Sequence, residues 1–328
     1  MLIDQFGRKI TYLRISVTDR CNLRCVYCMP AEGIDWQPHE NIMRFEEILE
    51  VIRIAAENGV SSIRITGGEP LVRRGIAQLI KRISQIKAVE DISLTTNGVL
   101  LKEMAEELAN SGLRRINISL DTLQEDRFKQ ITRIGQFEQV WQGILAAERV
   151  GMGPIKINTV VVRGVNEDEI CDIAQLTLDK PWHVRFIEFM QFNNVNGMSE
   201  LLGNKNDQYY SVKEMKTVLE PYGLNRVAST FGAGPSKLYK LDNAKGFIGF
   251  IAPVGDHFCQ QCNRLRLTAD GNLRPCLLSD IEIPVLPALR NGEPVLPYLQ
   301  KAVKYKPLSH QLADKPVPFT RCMTQIGG

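Results

Sequence analysis

The sequence predicts an α/β fold: an incomplete (β/α)6 barrel of the TIM type, with a C-terminal α+β extension closing the barrel mouth. Three observations carry this. Six short apolar segments recur over the first 190 residues, each bounded by polar residues, Gly or Pro. Amphipathic stretches lie between them, and several are followed by a glycine. After Met190 the alternation stops. Right-handed crossovers would curl six such strand–helix units into a barrel or part of one. The predicted division is a barrel domain over 1–190 and an extension over 191–328.

Taken in order, the predicted strands are Leu13–Val17, Ser62–Thr66, Ile92–Thr95, Arg115–Leu120, Ile155–Val162 and His183–Phe189. Each reads as a buried parallel strand. Phe45–Asn58 sets Ile48, Val51, Ile52 and Ala55 on one helical face, and Gly59 supplies a stop. Lys102–Ser111 and Phe137–Val150 repeat that pattern, with Gly112 and Gly151 behind them. In the extension, Asn193–Asp207 reads as a polar loop and Val212–Tyr222 as a helix. Leu238–Leu241, Phe247–Ile251 and Arg264–Thr268 read as strands, and Asp270-Gly271 is a hairpin signal. No motif is assigned to Gly197–Ala233. Barrels of this type keep their chemistry at the C-terminal ends of the strands, so functional motifs should fall there.

Composition narrows the class. Hydrophobic residues are 44% and charged residues 23% of the 328, which is ordinary for a globular chain. The net charge is only +3, with no long Lys/Arg run, so no nucleic acid partner is expected. No apolar run is long enough to cross a bilayer, so no membrane association is expected. Met1–Lys9 is too polar for a signal peptide, and a cytoplasmic location is expected. Eight cysteines in a reducing compartment then point to metal ligation or redox chemistry rather than disulfides.

Cys21, Cys25 and Cys28 form a C-x3-C-x2-C run just after the first strand. Three thiolates on one loop can hold three irons of a cubane and leave the fourth open to another ligand. A zinc site would want a fourth nearby Cys or His, and His39 is the one candidate. The run, with Tyr27 before its last cysteine, resembles the signature of the radical S-adenosylmethionine (SAM) superfamily. That resemblance implies an open iron that chelates the amino and carboxylate groups of SAM, with Tyr27 against the adenine. It also implies cleavage of the sulfonium to a 5′-deoxyadenosyl radical, chemistry beyond the reach of side chains. Thr66-Gly67-Gly68-Glu69-Pro70 follows the second strand and resembles the superfamily's glycine-rich SAM motif. Glycines allow a close backbone approach to a ligand. Glu69 either accepts from the SAM ammonium or braces the loop. By resemblance, Gly68, Ser119 and Met190 are SAM contacts; each alone also suits packing or capping.

A second triad, Cys259, Cys262 and Cys276, spans the Asp270-Gly271 turn, which would return Cys276 toward the first pair. A second cubane with an open iron and a zinc site completed by His257 are both readings of it. Arg264 and Arg266 fall on one strand face. They suit a polyphosphate, or simply a solvated face.

The wider set of motifs narrows the resemblance. It comprises Asp4-Gln5-Phe6-Gly7-Arg8, Leu13 through Cys21, Cys28-Met29-Pro30, Arg64 through Leu71, and Leu94-Thr95-Thr96-Asn97-Gly98. Asn117-Ile118-Ser119-Leu120-Asp121, Lys156-Ile157-Asn158, the Cys259–Cys276 segment and a terminal Gly327-Gly328 complete it. Together these are similar to the GTP 3′,8-cyclases of molybdenum cofactor biosynthesis, over nearly the whole chain. The resemblance implies two [4Fe-4S] clusters, SAM as co-substrate and GTP as substrate. Hydrogen abstraction from the ribose 3′ carbon and attack on guanine C8 would give 3′,8-cyclo-7,8-dihydro-GTP. It implies a GTP site of Arg14, Arg64, Thr95, Lys156, Arg264, Leu265 and Arg266, and a tail, Gly327 and Gly328, that reaches the active site. It implies a homodimer, and cyclic pyranopterin monophosphate synthase as the downstream enzyme. Arg14 and Arg64 sit inside predicted strands, and burying them without an anion would be costly. Cys171 reads as a core residue, and Cys322 as a free thiol. The competing readings are a peptide-modifying radical SAM enzyme with an auxiliary cluster, and a zinc-stabilised binding protein.

Overall fold

The computed structural model describes residues 1–190, 197–202, 207–228, 234–310 and 320–327. The six barrel strands are β1 (Tyr12–Ser16), β2 (Ser62–Thr66), β3 (Asp91–Thr96), β4 (Arg115–Ser119), β5 (Lys156–Val161) and β6 (His183–Glu188). They alternate with helices α1 (Phe45–Glu57), α2 (Ile76–Ser84), α3 (Leu101–Asn110), α4 (Glu125–Thr132), α5 (Phe137–Arg149) and α6 (Ile170–Asp179). The extension holds α7 (Gly197–Leu202), α8 (Val212–Leu219), β7 (Asn225–Arg226), β8 (Lys237–Lys240), β9 (Phe247–Ile251) and β10 (Arg264–Leu267). It continues with β11 (Asn272–Arg274), β12 (Ile283–Pro284), α9 (Leu286–Arg290), α10 (Leu296–Lys304) and α11 (Met323–Ile326).

Two features depart from the sequence-based expectation. The stretch expected as a polar loop, 193–207, contains helix α7, while 193–196 and 203–206 lie outside the described residues. The extension also joins the barrel sheet at both edges. β10 pairs in parallel with β1, and β9 pairs in parallel with β6. The parallel row therefore runs β10-β1-β2-β3-β4-β5-β6-β9, with antiparallel β11-β12 and β8-β7 outside it. Among the described residues no ladder joins β9 to β10, so the barrel stays open there.

Strand periodicity of two separates the two faces of this sheet. Leu13, Ile15, Ile63, Ile65, Leu94, Ile116, Ile118, Ile157, Val184, Ile248 and Leu267 point one way and pack with the helices in one core. Burying each such side chain contributes roughly 1.5–3 kcal/mol. The helices answer with apolar faces of their own, such as Ile48, Val51, Ile52 and Ala55 on α1. The opposite face, turned into the barrel, is polar. Arg14 stands in register between Arg266 and Arg64, Arg64 beside Ser93, and Asn158 beside Arg185.

Specific bonds tie the extension to the barrel. The Glu188 carboxylate, at the end of β6, accepts from Tyr209 Oη at 2.9 Å, Val212 N at 3.1 Å, Val254 N at 3.1 Å and Gly255 N at 2.9 Å. Ser211 and Glu214 cap α8 reciprocally: Ser211 Oγ accepts from Glu214 N, and Glu214 accepts from Ser211 N at 2.9 Å. Among the described residues no helix is long and apolar enough to cross a membrane.

Candidate active site

The loop after β1 brings Cys21, Cys25 and Cys28 together as free thiols. Its turn is closed by Cys28 N and Met29 N, which both donate to Cys25 O. Arg133 reaches across to donate to Arg24 O at 2.7 Å and Met29 O at 3.1 Å. Burial pushes the Cys25 thiol far up, and the neighbouring Cys28 and Cys21 push it further. Burial also raises Cys21 to about 11 and lifts Cys28 strongly. Three buried thiolates oppose one another, and a cationic metal core removes both penalties. The donor set therefore fits an iron–sulfur cluster.

The glycine-rich loop is pinned directly onto this one. Gly68 N donates to Thr18 O at 2.8 Å, and Glu69 N donates to Arg20 O at 2.8 Å. A Cβ on Gly68 would stand 2.4 Å from Arg20 O, so only glycine allows the approach. Glu69 braces the loop: its carboxylate accepts from Leu71 N at 3.0 Å, Thr96 Oγ1 at 2.7 Å and Asn97 N at 2.7 Å. Burial raises it to about 7, and those three donors hold it back from a larger rise.

Tyr27 donates from its hydroxyl to Asp121, whose other oxygen accepts from Val160 N at 2.8 Å. The Tyr27 ring is thus fixed between the cysteine loop and the ends of β4 and β5. Burial raises Asp121 to about 6, against the pull of Tyr27 and Val160. Ser119 ends β4 beside Asn158. Met190, after β6, packs on the Leu278 and Ile326 cluster; Ile326 belongs to the terminal helix, whose Thr324 Oγ1 donates to Asp19 O of the first loop at 3.0 Å.

The inward face of the sheet gathers most of the residues expected to hold the nucleotide. Arg14, Arg64, Thr95, Lys156, Arg264 and Arg266 share it. Leu265 does not. Its opposite parity sends its side chain into the apolar core with Leu13, leaving only main-chain atoms to meet a ligand. The sequence reading also missed Arg185, which is 8% exposed and donates to Asn117 Oδ1 at 2.9 Å. Its signal was its place two residues before Ile187 on an apolar strand, where a charge needs a reason. Burial, then the Arg266 and Arg64 charges, holds Arg14 well below the usual guanidinium range. Burial, then Arg64, lowers Arg185 to about 9. Burial, then Arg185 and Arg115, lowers Lys156 to about 7. Asp91, at the foot of β3, is paired with Arg115 at 2.5 Å. Thr95 Oγ1 and Asn158 Oδ1 are buried with no hydrogen-bond partner among the described residues. Buried cations that lower one another's pKa, beside the unpartnered Thr95 hydroxyl, describe a face that suits a polar anion.

Gly327 enters this space from the far end of the chain. Its carbonyl accepts from Arg266 at 2.8 Å and from Arg14 at 3.2 Å. Its φ is +68°, and a Cβ there would stand 2.7 Å from Thr66 Cγ2. Gly328 lies outside the described residues.

The hairpin expected at Asp270-Gly271 forms. Gly271 has φ +74° and joins β10 to antiparallel β11, which returns Cys276 within electrostatic reach of Cys262. Burial opposes ionisation of Cys262, but Arg264 and then Lys306 bring it down to about 6. Burial raises Cys276. The His257 ring packs edge-on against the His310 ring, 5.2 Å between centroids. Among the described residues no three His, Cys, Asp or Glu side chains are gathered closely enough for a single metal ion. A cubane asks for a wider set, because each cysteine binds a different iron. A cavity of about 680 Å³ opens here, lined by Cys262, Arg264, Arg226, Lys237, Phe258 and Asn263 among others. Its volume suits a nucleotide-sized ligand. Of the other cysteines, Cys171 packs on the core and donates to Val218 O at 3.9 Å. Cys322 caps α11, its N–H donating to Gln325 Oε1 at 2.9 Å.

Residues 15–177 match the model of the radical SAM superfamily, and residues 182–312 match that of molybdenum cofactor synthesis C. A GTP 3′,8-cyclase of Alkaliphilus metalliredigens is 49% identical, over 99% of both chains. One of Petrotoga mobilis is 46% identical, over 100% of both. The chain belongs to the GTP 3′,8-cyclase family. Solved structures share its fold at low identity. Streptococcus suis SuiB bound to S-adenosylmethionine superposes with a TM-score of 0.60 at 15% identity, over 84% of this chain and 61% of its own. Native anSMEcpe with bound AdoMet gives 0.51 at 15%, over 92% and 82%.

Proposed function

We propose that this chain converts GTP to 3′,8-cyclo-7,8-dihydro-GTP in molybdenum cofactor biosynthesis, using SAM and two [4Fe-4S] clusters, one on each triad. One observation carries this reading. A barrel face holding Arg14, Arg64, Arg185, Lys156 and Arg266 runs between two separate three-thiol loops. Bound to the first triad, a cluster with SAM supplies one-electron cleavage that starts hydrogen abstraction from the ribose.

The chain's own residues do the rest. Gly67 and Gly68 let the backbone come up to SAM, and Tyr27, fixed by Asp121, presents its ring to the adenine. The inward cations take the triphosphate, preorganised at no cost at the moment of reaction. Gly327 places a carbonyl between Arg14 and Arg266 and holds both guanidiniums in place. The reading includes a homodimer and delivery of the product to cyclic pyranopterin monophosphate synthase. The peptide-modifying alternative offers no reason for so many cations inside the barrel.

The test is anaerobic incubation with SAM, GTP and a reductant. The expected result is 5′-deoxyadenosine that forms only when GTP is present. Formation independent of GTP would sink the substrate assignment. In the same assay, Gly327→Ala is expected to lose several-fold in rate, because alanine resists a left-handed φ and meets Thr66.

Lys156 gives a second handle. Its pKa of about 7 reflects burial among like charges, so above that pH the ligand-free side chain is largely neutral. GTP phosphates beside it favour the charged form and raise the pKa again. Binding at about pH 8 therefore takes up a proton, and binding at about pH 6 does not. The expected observation is a GTP binding enthalpy that varies with buffer ionisation enthalpy at the higher pH. A buffer-independent enthalpy there would exclude Lys156 from the phosphate site.

A further inference from the structure

The opening Asp4-Gln5-Phe6-Gly7-Arg8 motif and the segment after α10 have no part in the chemistry so far. Both converge on the second triad. Arg8 is 8% exposed, and its guanidinium donates to Cys259 O at 2.6 Å, Pro307 O at 2.6 Å and Leu308 O at 3.1 Å. Asp4 aims it: one carboxylate oxygen accepts from Arg8 Nε at 2.6 Å, and the other accepts from Phe6 N and Arg8 N, both at 2.9 Å. The residue before Pro307 completes the arrangement. Lys306 is 2% exposed, and its Nζ donates to Arg264 O and Pro275 O, both at 2.8 Å. Arg264 lies two residues after Cys262, and Pro275 immediately precedes Cys276.

Every cysteine of the triad is thus tied, at its own backbone or within two residues of it, to one of two buried cations. The two cations are tied to each other through Pro307 and Leu308. An ammonium has three N–H donors, and carbonyls use two of them on Lys306. The Cys262 and Cys276 thiols lie within electrostatic reach of the third. A buried ammonium answered by thiols rather than a carboxylate matches the net negative charge of a thiolate-ligated cluster.

We propose that Arg8 and Lys306 form a cationic brace for the second triad. Arg8 holds the Cys259 turn in its cluster-binding position, and Lys306 does so for Cys262 and Cys276 while adding positive charge beside their sulfurs. Both are positioning residues. They act through the cysteines and do not touch GTP. The assignment rests on reading Cys259, Cys262 and Cys276 as a cluster site.

Changing Cys21, Cys25 and Cys28 together to alanine isolates that site in the full chain. After anaerobic reconstitution this parent should hold about four irons. A parent without iron would overturn the cluster reading itself. Given a loaded parent, Lys306→Met is expected to lower the midpoint potential, because nearby positive charge favours the reduced cluster. Arg8→Met is expected to lose iron to a chelator several-fold faster. A parent-like potential in the first variant and a parent-like chelation rate in the second would overturn the brace. The same two changes in the chain with all its cysteines guard against general unfolding. There the SAM-dependent spectral change of the first cluster should persist, and its equal loss would also overturn the brace.

Discussion

Replacing Cys25 with alanine is expected to abolish GTP-dependent formation of 5′-deoxyadenosine and, on the proposal of one cluster per triad, to leave roughly half the iron in the chain. Cys25 is the middle thiol of its loop, and its carbonyl closes the turn that positions Cys28. Losing the thiol leaves two ligands for a cluster that needs three from the protein. No side chain replaces the chemistry, so the loss is expected to be complete rather than partial. The second triad should keep its iron. Its loops are tied to Arg8, Lys306 and the β10–β11 hairpin, not to the first loop. Iron assay and chromatographic detection of 5′-deoxyadenosine check both halves. Turnover near the parent rate would mean that the first triad does not carry the cluster that cleaves SAM.

Arg185→Met should move stability and binding in opposite directions. Arg185 is buried, and Arg64 and Arg115 add repulsion to the cost of burial. It remains charged at neutral pH, as a guanidinium does. Methionine fills similar space without that cost, which favours the ligand-free fold by about 1–3 kcal/mol. For a chain of this size that is a rise of several degrees in Tm. GTP then loses one buried phosphate partner, worth about 2–4 kcal/mol, or roughly 30- to 700-fold in affinity. Calorimetry of the ligand-free chain and a GTP titration read the two effects separately. A lower Tm with unchanged affinity would make Arg185 a structural residue. The expected trade is the usual one where an active site is held in a costly arrangement for its ligand.

Legibility in the sequence followed the range of the interactions. Cys21, Cys25 and Cys28 share one short loop, so spacing alone revealed them. The Asp270-Gly271 turn likewise revealed that Cys276 returns to Cys262. Strand positions were readable because β-branched and leucine residues cluster on the helix-facing side. On the other face Arg14 and Arg64 were legible as strand cations that call for an anion, while Arg185 went unmarked because it looks like an interruption until a barrel interior gives it a place. Leu265 entered the expected site by family resemblance, and strand parity turns its side chain away from Arg264 and Arg266. Helix α4 went unmarked because its eight residues bury only Phe128, Ile131 and Thr132. Parallel pairing of β10 with β1 leaves no local trace, because a parallel partner can come from anywhere in the chain. The Arg8 contacts, which span about 250 to 300 positions, are invisible for the same reason.

The same edge pairing has a consequence for how the protein is made. β1 is among the first elements to leave the ribosome, yet its outer neighbour β10 begins at Arg264. At about 5–20 residues per second, roughly 250 residues of further synthesis take on the order of 12–50 s. For that time the backbone N–H and C=O groups along one side of β1 have no partner strand, and β6 waits likewise for β9. Such bare edges invite pairing with other chains. The nascent barrel is therefore most exposed to aggregation before its extension exists, and chaperone cover over that interval would matter more than the stability of the finished fold.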